Sequence, residues 1–384
     1  MPARRATMSE PPSEPAPAAR SRPRTTRPSR TAPPVLVEVR RGGISESRHR
    51  GHVVQVGIDG SIERAIGDPD TVVALRSAAK PLGLVAFVEA GVADAFDLSA
   101  PELAVLAASH SGEDLHVRTI QAMLRRAQVS QSMLGCGTAN APLDQVTAQR
   151  LARDGERPGM IRHQCSGQHA SFLLFAKYAG WPLEEYWLPE HPTQVAFRDA
   201  LARVLGRRPG DLVTSVDACG ILTYHVTLID VARAYLRLAD PAGAAQDARG
   251  RALVPALTRI RDAMMAAPEL VAGPRDRFDT ALMQALPGRV CAKGGAEALQ
   301  ALGLVPHAPG HRPAGFAAKI EDGDAGGRAR PAVTVEALRQ IGIVGEREMR
   351  ALETWHHPAL RDPRGEVVGE IVPSFELAPL SELR

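Results

Sequence analysis

Apolar and polar residues alternate near both ends of the chain and recur at helical spacing through its middle. Residues 35–39, 51–58 and 61–66 read as strands, the last two joined by an Asp59-Gly60 turn. Residues 67–70 read as a loop, 72–75 lead into Ser77, and 81–90 form an apolar helical stretch. Helical spacing then dominates, over 101–108, 115–128, 141–153, 171–179, 194–205, 222–238 and 251–266. The character changes again near residue 290. Residues 289–293 read as a strand, 297–302 as a helix, 315–321 as a strand, and 366–372 as a last strand after a turn at Gly365. Strands at both ends around a helical middle imply an α+β fold. Its mostly antiparallel sheet is built from both chain ends (35–75 and 285–375), with the helical part 76–284 packed around it. Residues 35–384 are then a single domain, with no internal repeat.

Residues 1–34 stand outside this pattern. They hold seven arginines, nine prolines and two glutamates, and no Val, Leu, Ile or Phe. Such a segment cannot bury a core and is expected to be a disordered Pro/Arg-rich tail. The tail outweighs the whole chain's formal charge of +3, so the remainder is slightly negative. That balance argues against a nucleic-acid partner. No apolar stretch follows the tail's arginines as it does in a secretory signal. No run approaches the roughly 18 apolar residues of a membrane span. A cytoplasmic protein without a membrane partner is expected. In that setting Cys136, Cys165, Cys219 and Cys291 are thiols or ligands rather than disulfides.

The chain has four lysines, Lys80, Lys177, Lys293 and Lys319, among 46 basic residues. Where arginine supplies nearly all the positive charge, a retained lysine points to a task arginine cannot perform, namely giving up a proton. Lys80 lies three residues after Ser77, on the same face if the segment is helical. Pro81 fits only in a first helical turn, which places Ser77 near a helix N-terminus. A serine beside a lysine that can deprotonate it is an activated nucleophile. Ser109-His110-Ser111-Gly112-Glu113 adds hydroxyls and a carboxylate on a loop, and the glycines of Lys293-Gly294-Gly295 let a substrate approach the backbone. Ser-x-x-Lys, a serine loop and Lys-Gly-Gly follow the motif order of serine β-lactamases and penicillin-binding proteins. Lys177 reads as a solvated face residue and Lys319 as a structural strand-end residue. For His110 and Glu113, roles in the site and purely local roles are equally open.

Eight segments, in order, resemble the bacterial serine–lysine type of L-asparaginase. They are 76–81, 109–113, 165–170, 191–194, 217–220, 277–283, 293–297 and 319–323. The resemblance spans about 35–375 and implies a fold like serine β-lactamases, penicillin-binding proteins and glutaminases, in a homodimer. It implies hydrolysis of the asparagine side-chain amide through an acyl-enzyme on Ser77, with Lys80 as its base and Ser109 and Lys293 relaying protons. Arg76, His169, Asp217, Gly294 and Gly295 would surround a small amide substrate. The oxyanion would rest on backbone N–H groups of Ser77 and the Gly294-Gly295 strand. A zinc site is implied at Cys165 and Cys219, weakened because Gln168 stands at the family's lysine ligand.

This chain departs from the family's common pattern where Cys-Gly-x-His-x-Pro gives way to 136–142, with Ala139 at the histidine position. His163-Gln164 stand where asparagines often do, Leu222 where proline is frequent, and Ala298 where glycine is frequent. Altered lining around intact serine–lysine machinery also permits an amidase or acyl transferase for a different carboxamide. A catalytically silent amino-acid-binding relative is the reading from another class.

Overall fold

Two antiparallel sheets carry the eleven strands found in the computed structural model, which describes residues 32–245, 247–307 and 311–379. The expectation of a disordered tail falls almost wholly on 1–31, outside the described residues. The strands are β1 (Val35–Arg41), β2 (Ile44–Val56), β3 (Ile62–Ile66), β4 (Val72–Ala74), β5 (Val213–Val216), β6 (Leu222–Thr227), β7 (Val290–Gly295), β8 (Leu299–Leu304), β9 (Ala314–Ile320), β10 (Ala359–Arg361) and β11 (Val367–Pro373). The large sheet runs β10-β11-β1-β2-β9-β8-β7, with β3 also paired to β2. Its pairing joins the two chain ends directly, with Val53 opposite Ala318 and Val39 opposite Ile371. The α+β expectation therefore holds, with the sheet assembled from both termini.

Burial explains the difference between the outer and inner strands. In β1, Leu36, Val37 and Val39 are buried, while Glu38 and Arg40 are only partly so. Every residue of β8 is buried, so helices must cover both of its faces. The Leu228–Ala239 helix packs on β2, β8 and β9. Glycine is required at 303 and 315 for that approach, because a Cβ there would collide with the Tyr235 and Ala232 carbonyls. The Ala329–Gln340 helix packs on β1, β9 and β11. The Ser166–Ala179 helix is buried through Ala176, as expected of a helix that is apolar all round.

Three expectations need correction. Residues 297–302 are not a helix: Ala296–Ala298 turn and β8 follows. A short apolar run does not distinguish the two, and here β8 finds partners on both edges. Residues 222–238 are two elements. Leu222–Thr227 is β6, and the helix begins only at Leu228, behind a capping box of Thr227 and Asp230. That box is visible in the sequence. The segment 72–74 does not join the terminal sheet. It forms a separate sheet, β4-β6-β5, with two strands from the middle of the chain. This small sheet leads β4 into Ser77 and β5 into Asp217.

Candidate active site

β4 delivers the chain into a 3-10 turn, Arg76–Ala79, followed by the helix Lys80–Gly83 with Pro81 in its first turn. Arg76 enters the turn at φ 45°, a left-handed conformation that costs a non-glycine residue energy. Three anchors hold it there. Arg76 N–H donates to Thr223 Oγ1 at 2.9 Å, Leu75 N–H donates to the Tyr224 carbonyl at 2.8 Å, and Tyr235 O–H donates to the Ala78 carbonyl at 2.9 Å. Ser77 is left half-buried at the lip of a cavity of about 310 Å³.

Lys80 does not hydrogen-bond Ser77. Its Nζ donates to the Ala108 carbonyl at 2.8 Å, to Ser109 Oγ at 3.2 Å and to Cys165 Sγ at 3.3 Å. Lys293 reaches the same serine from the edge strand β7. Its Nζ lies 2.8 Å from Ser109 Oγ and donates to the Gly294 carbonyl at 2.8 Å. Both lysines therefore meet on Ser109. Burial pushes the Lys293 ammonium from its ordinary 10.5 down to about 7; Asp279 opposes the shift, while Lys80 and Arg277 reinforce it.

The Ser109 loop is held on every side. Ser109 N–H donates to the Val271 carbonyl at 2.9 Å, and Arg277 Nη2 donates to the Ser109 carbonyl at 2.7 Å. His110 is fully buried. It accepts Gly112 N–H at Nδ1, leaving Nε2 to donate to Ser166 Oγ at 2.9 Å. That is a satisfied loop histidine. Glu113 does not line the cavity; it occupies the N-cap position of the Asp114–Arg126 helix, without a side-chain capping bond. It accepts from Ser111 Oγ at 2.8 Å and shares Arg275 with Asp144, at 2.5 and 2.7 Å. Burial raises the Glu113 carboxyl, and hydrogen bonding to Arg275 holds Asp144 down at about 2.

Arg76, Asp217, Gly294 and Gly295 line the cavity with Ser77, Ser109 and Lys293. Arg76 Nε donates to Asp217 Oδ1 at 2.6 Å, a pair that joins the two ends of the small sheet. The two glycines leave room for neighbouring groups of the protein itself. A Cβ at Gly294 would collide with the Arg330 guanidinium, and one at Gly295 would crowd the Leu75 carbonyl. Gly294 N–H is not free for an oxyanion either, since it donates to Asp279 Oδ2 at 2.7 Å. Its carbonyl, on the same outer edge, holds Lys293. By strand alternation the Gly295 amide faces β8. The described residues offer no acceptor for Ser77 N–H, which sits in the first turn where helix amides are unspent.

Cys165 and Cys219 are buried free thiols on the cavity wall. The Cys165 thiol is pushed well below its ordinary value by Cys219, Lys80 and His163. Among the described residues no third His, Cys, Asp or Glu joins them in a metal-sized cluster. His169 does not supply one. It is fully buried, it is absent from the cavity wall, and its Nδ1 lies 2.6 Å from the Tyr186 hydroxyl. Gln168 Oε1 is buried without a hydrogen-bond partner, but an amide oxygen is a poor zinc ligand, and Lys80 Nζ already sits against the Cys165 sulfur. This donor set does not fit a zinc site.

Arg277, Asp279 and Arg330 also line the cavity, and sequence reasoning assigned none of them to it. The 277–283 segment was legible as a motif. Within it Asp279 sits in the first turn of the Phe278–Ala285 helix as a buried carboxylate, held ionised by Arg330 and Lys293. Nothing local marks Arg330, which arrives from a distant helix.

The sequence model of one family, L-asparaginase II, matches residues 37–373. No curated protein matches the chain. Among solved structures, a probable glutaminase from Bacillus subtilis complexed with 6-diazo-5-oxo-L-norleucine is 12% identical over 76% of this chain and 84% of that one, with a TM-score of 0.37. A Bacillus glutaminase in 4.3 M NaCl is 12% identical over 76% of this chain and 91% of that one, with a TM-score of 0.38. At such scores the likeness is too distant to speak for any residue or substrate.

Proposed function

The chain belongs to the L-asparaginase II family, and from that premise we propose that it hydrolyses the side-chain amide of L-asparagine to L-aspartate and ammonia. It is a hydrolase of carbon–nitrogen amide bonds. The observation that supports a serine–lysine mechanism is the meeting of Lys80 and Lys293 on Ser109, on the wall that also presents Ser77; the choice of asparagine rests on the family. Ser77 Oγ attacks the carboxamide carbon. Its N–H, at the start of the 3-10 turn, faces the developing oxyanion. The proton passes to Lys80, which in turn yields one through Ser109 Oγ to Lys293, the lysine held near neutrality. The same chain returns a proton to the leaving ammonia. Water then releases the carboxylate from Ser77.

Ammonia release from L-asparagine, L-glutamine and a panel of small amides tests the proposal, with Ser77→Ala as control. Release that vanishes in Ser77→Ala supports it; full activity in that variant rules out the nucleophile. A different amide is the second reading. It is favoured by Ala139 and Asn140 on the cavity wall, where a histidine is common in the family. Activity on another amide with none on asparagine would establish it. A homodimer belongs to the same proposal. The edge strand β5 exposes all four residues, Val213 and Val216 among them, and light scattering of the purified protein tests it.

A further inference from the structure

We propose that Arg330 anchors the substrate's free α-carboxylate; the inference rests on the amino-acid carboxamide reading above. Three guanidinium groups line the cavity, Arg76, Arg277 and Arg330. Arg76 is neutralised by Asp217 at 2.6 Å. Arg277 donates to the Ser109 carbonyl and is desolvated by burial. Arg330 has no carboxylate within ion-pair distance among the described residues, and one of its five side-chain donors is accounted for there.

That donor explains why it remains unpaired. Nη1 donates to Gln300 Oε1 at 3.0 Å, and the same buried amide donates from Nε2 to Asp279 Oδ1 at 3.0 Å. Gln300 thus stands between the guanidinium and Asp279, which feels the Arg330 charge without forming an ion pair with it. The Phe278 ring lies 6.0 Å beneath the guanidinium carbon, and Asp324 Oδ2 accepts the Arg330 backbone N–H at 2.8 Å. The group is held rigid with a donor edge unspent, the arrangement that favours bidentate recognition of a carboxylate.

Its position fits the proposed chemistry. The guanidinium lies on the backbone of Gly294, the residue after Lys293, so the anchor and the proton relay occupy neighbouring positions of one strand edge. A substrate bridging them carries its carboxylate a short chain away from its scissile amide.

Calorimetric binding of L-aspartate, and of its α-amide lacking the α-carboxylate, to wild type, Arg330→Gln and Arg330→Lys tests this. The wild-type protein should bind L-aspartate about 10- to 100-fold more tightly than the α-amide, as expected for one charged hydrogen-bonded pair. Arg330→Gln should bind the two ligands alike, and Arg330→Lys should discriminate partially. Affinity for the α-amide reports whether each variant's cavity is intact. Discrimination retained in Arg330→Gln overturns the proposal. So does a wild-type protein that fails to discriminate, including one that binds neither ligand. Absence of asparagine turnover alongside intact discrimination counts against the reaction and not against the anchor.

Discussion

Replacing Lys293 by methionine should make the folded protein more tolerant of low pH while removing one end of the proposed proton relay. Lys293 is 1% exposed, and its ammonium is displaced from 10.5 to about 7. At about 1.4 kcal/mol per pH unit, keeping that ammonium charged in the folded state costs about 5 kcal/mol relative to the unfolded chain. The sign follows from the depressed lysine. Between pH 7 and 10.5 the unfolded chain binds the proton and the folded one does not, so wild-type stability rises with pH. Below pH 7 the whole cost is present. Methionine occupies a similar volume and carries no proton. The stability of wild type minus that of Lys293→Met should therefore become more favourable by about 2–3 kcal/mol from pH 6 to pH 9. Urea unfolding at four pH values across that range reads the difference directly. A difference that is flat with pH refutes the reasoning, whatever its absolute size, because it means that Lys293 titrates at its ordinary value when folded. Asp279, Lys80, Arg277 and Cys165 are the charged or titratable groups around Lys293, and all remain in the variant.

Lys80→Arg leaves a side chain that cannot give up or take a proton, so ammonia release should fall about 10²- to 10⁴-fold with the circular dichroism unchanged; full activity would remove Lys80 from the proton path. Arg275→Ala strips the shared partner from Glu113 and Asp144, both buried, and should lower stability by about 1–3 kcal/mol in urea unfolding. Because Asp144 is held at about 2, its stabilisation in wild type is present above its ordinary 3.8 and lost as pH falls toward 2; acid unfolding of Arg275→Ala should begin at higher pH. Ala298 sits at φ 56° in the β7–β8 turn, so Ala298→Gly should raise stability by about 1 kcal/mol, visible as a higher melting temperature; a lower one would mean that the turn is unstrained. Gln168→Lys supplies the amine that the thiol pair lacks and should tighten zinc binding at least about tenfold in a competitive chelator titration, at about 1.4 kcal/mol per tenfold; unchanged affinity would place Gln168 away from any metal position.

Much of the framework was legible because the signals are local. Alternation at 35–66 and 315–321 marked strands, and Pro81 fixed the start of a helix three residues after Ser77. The scarcity of lysine drew attention to Lys80 and Lys293, and both are buried beside Ser109, which lies on the cavity wall. The failures share a cause. Leu299–Leu304 is apolar in any conformation, and only the presence of β7 and β9 on its two edges makes it a strand. The glycines after Lys293 read as openings for a substrate; they do line the cavity, and the sequence could not show that Arg330 and the Leu75 carbonyl crowd their Cβ positions.

By itself the sequence determined the residue types, their spacing, the strand-rich ends and the helical middle. It carried the serine–lysine chemistry through the order of its motifs. The tertiary structure alone decided which hydroxyl the lysines share, which arginine keeps an unspent donor edge, and that Cys165 and Cys219 find no third ligand among the described residues. The reason is physical. Hydrogen-bond partners and pKa shifts depend on distances of a few ångströms between segments far apart in the chain, and burial sets how strongly those partners act. Lys293 and Ser109 are 184 residues apart in sequence and 2.8 Å apart in space.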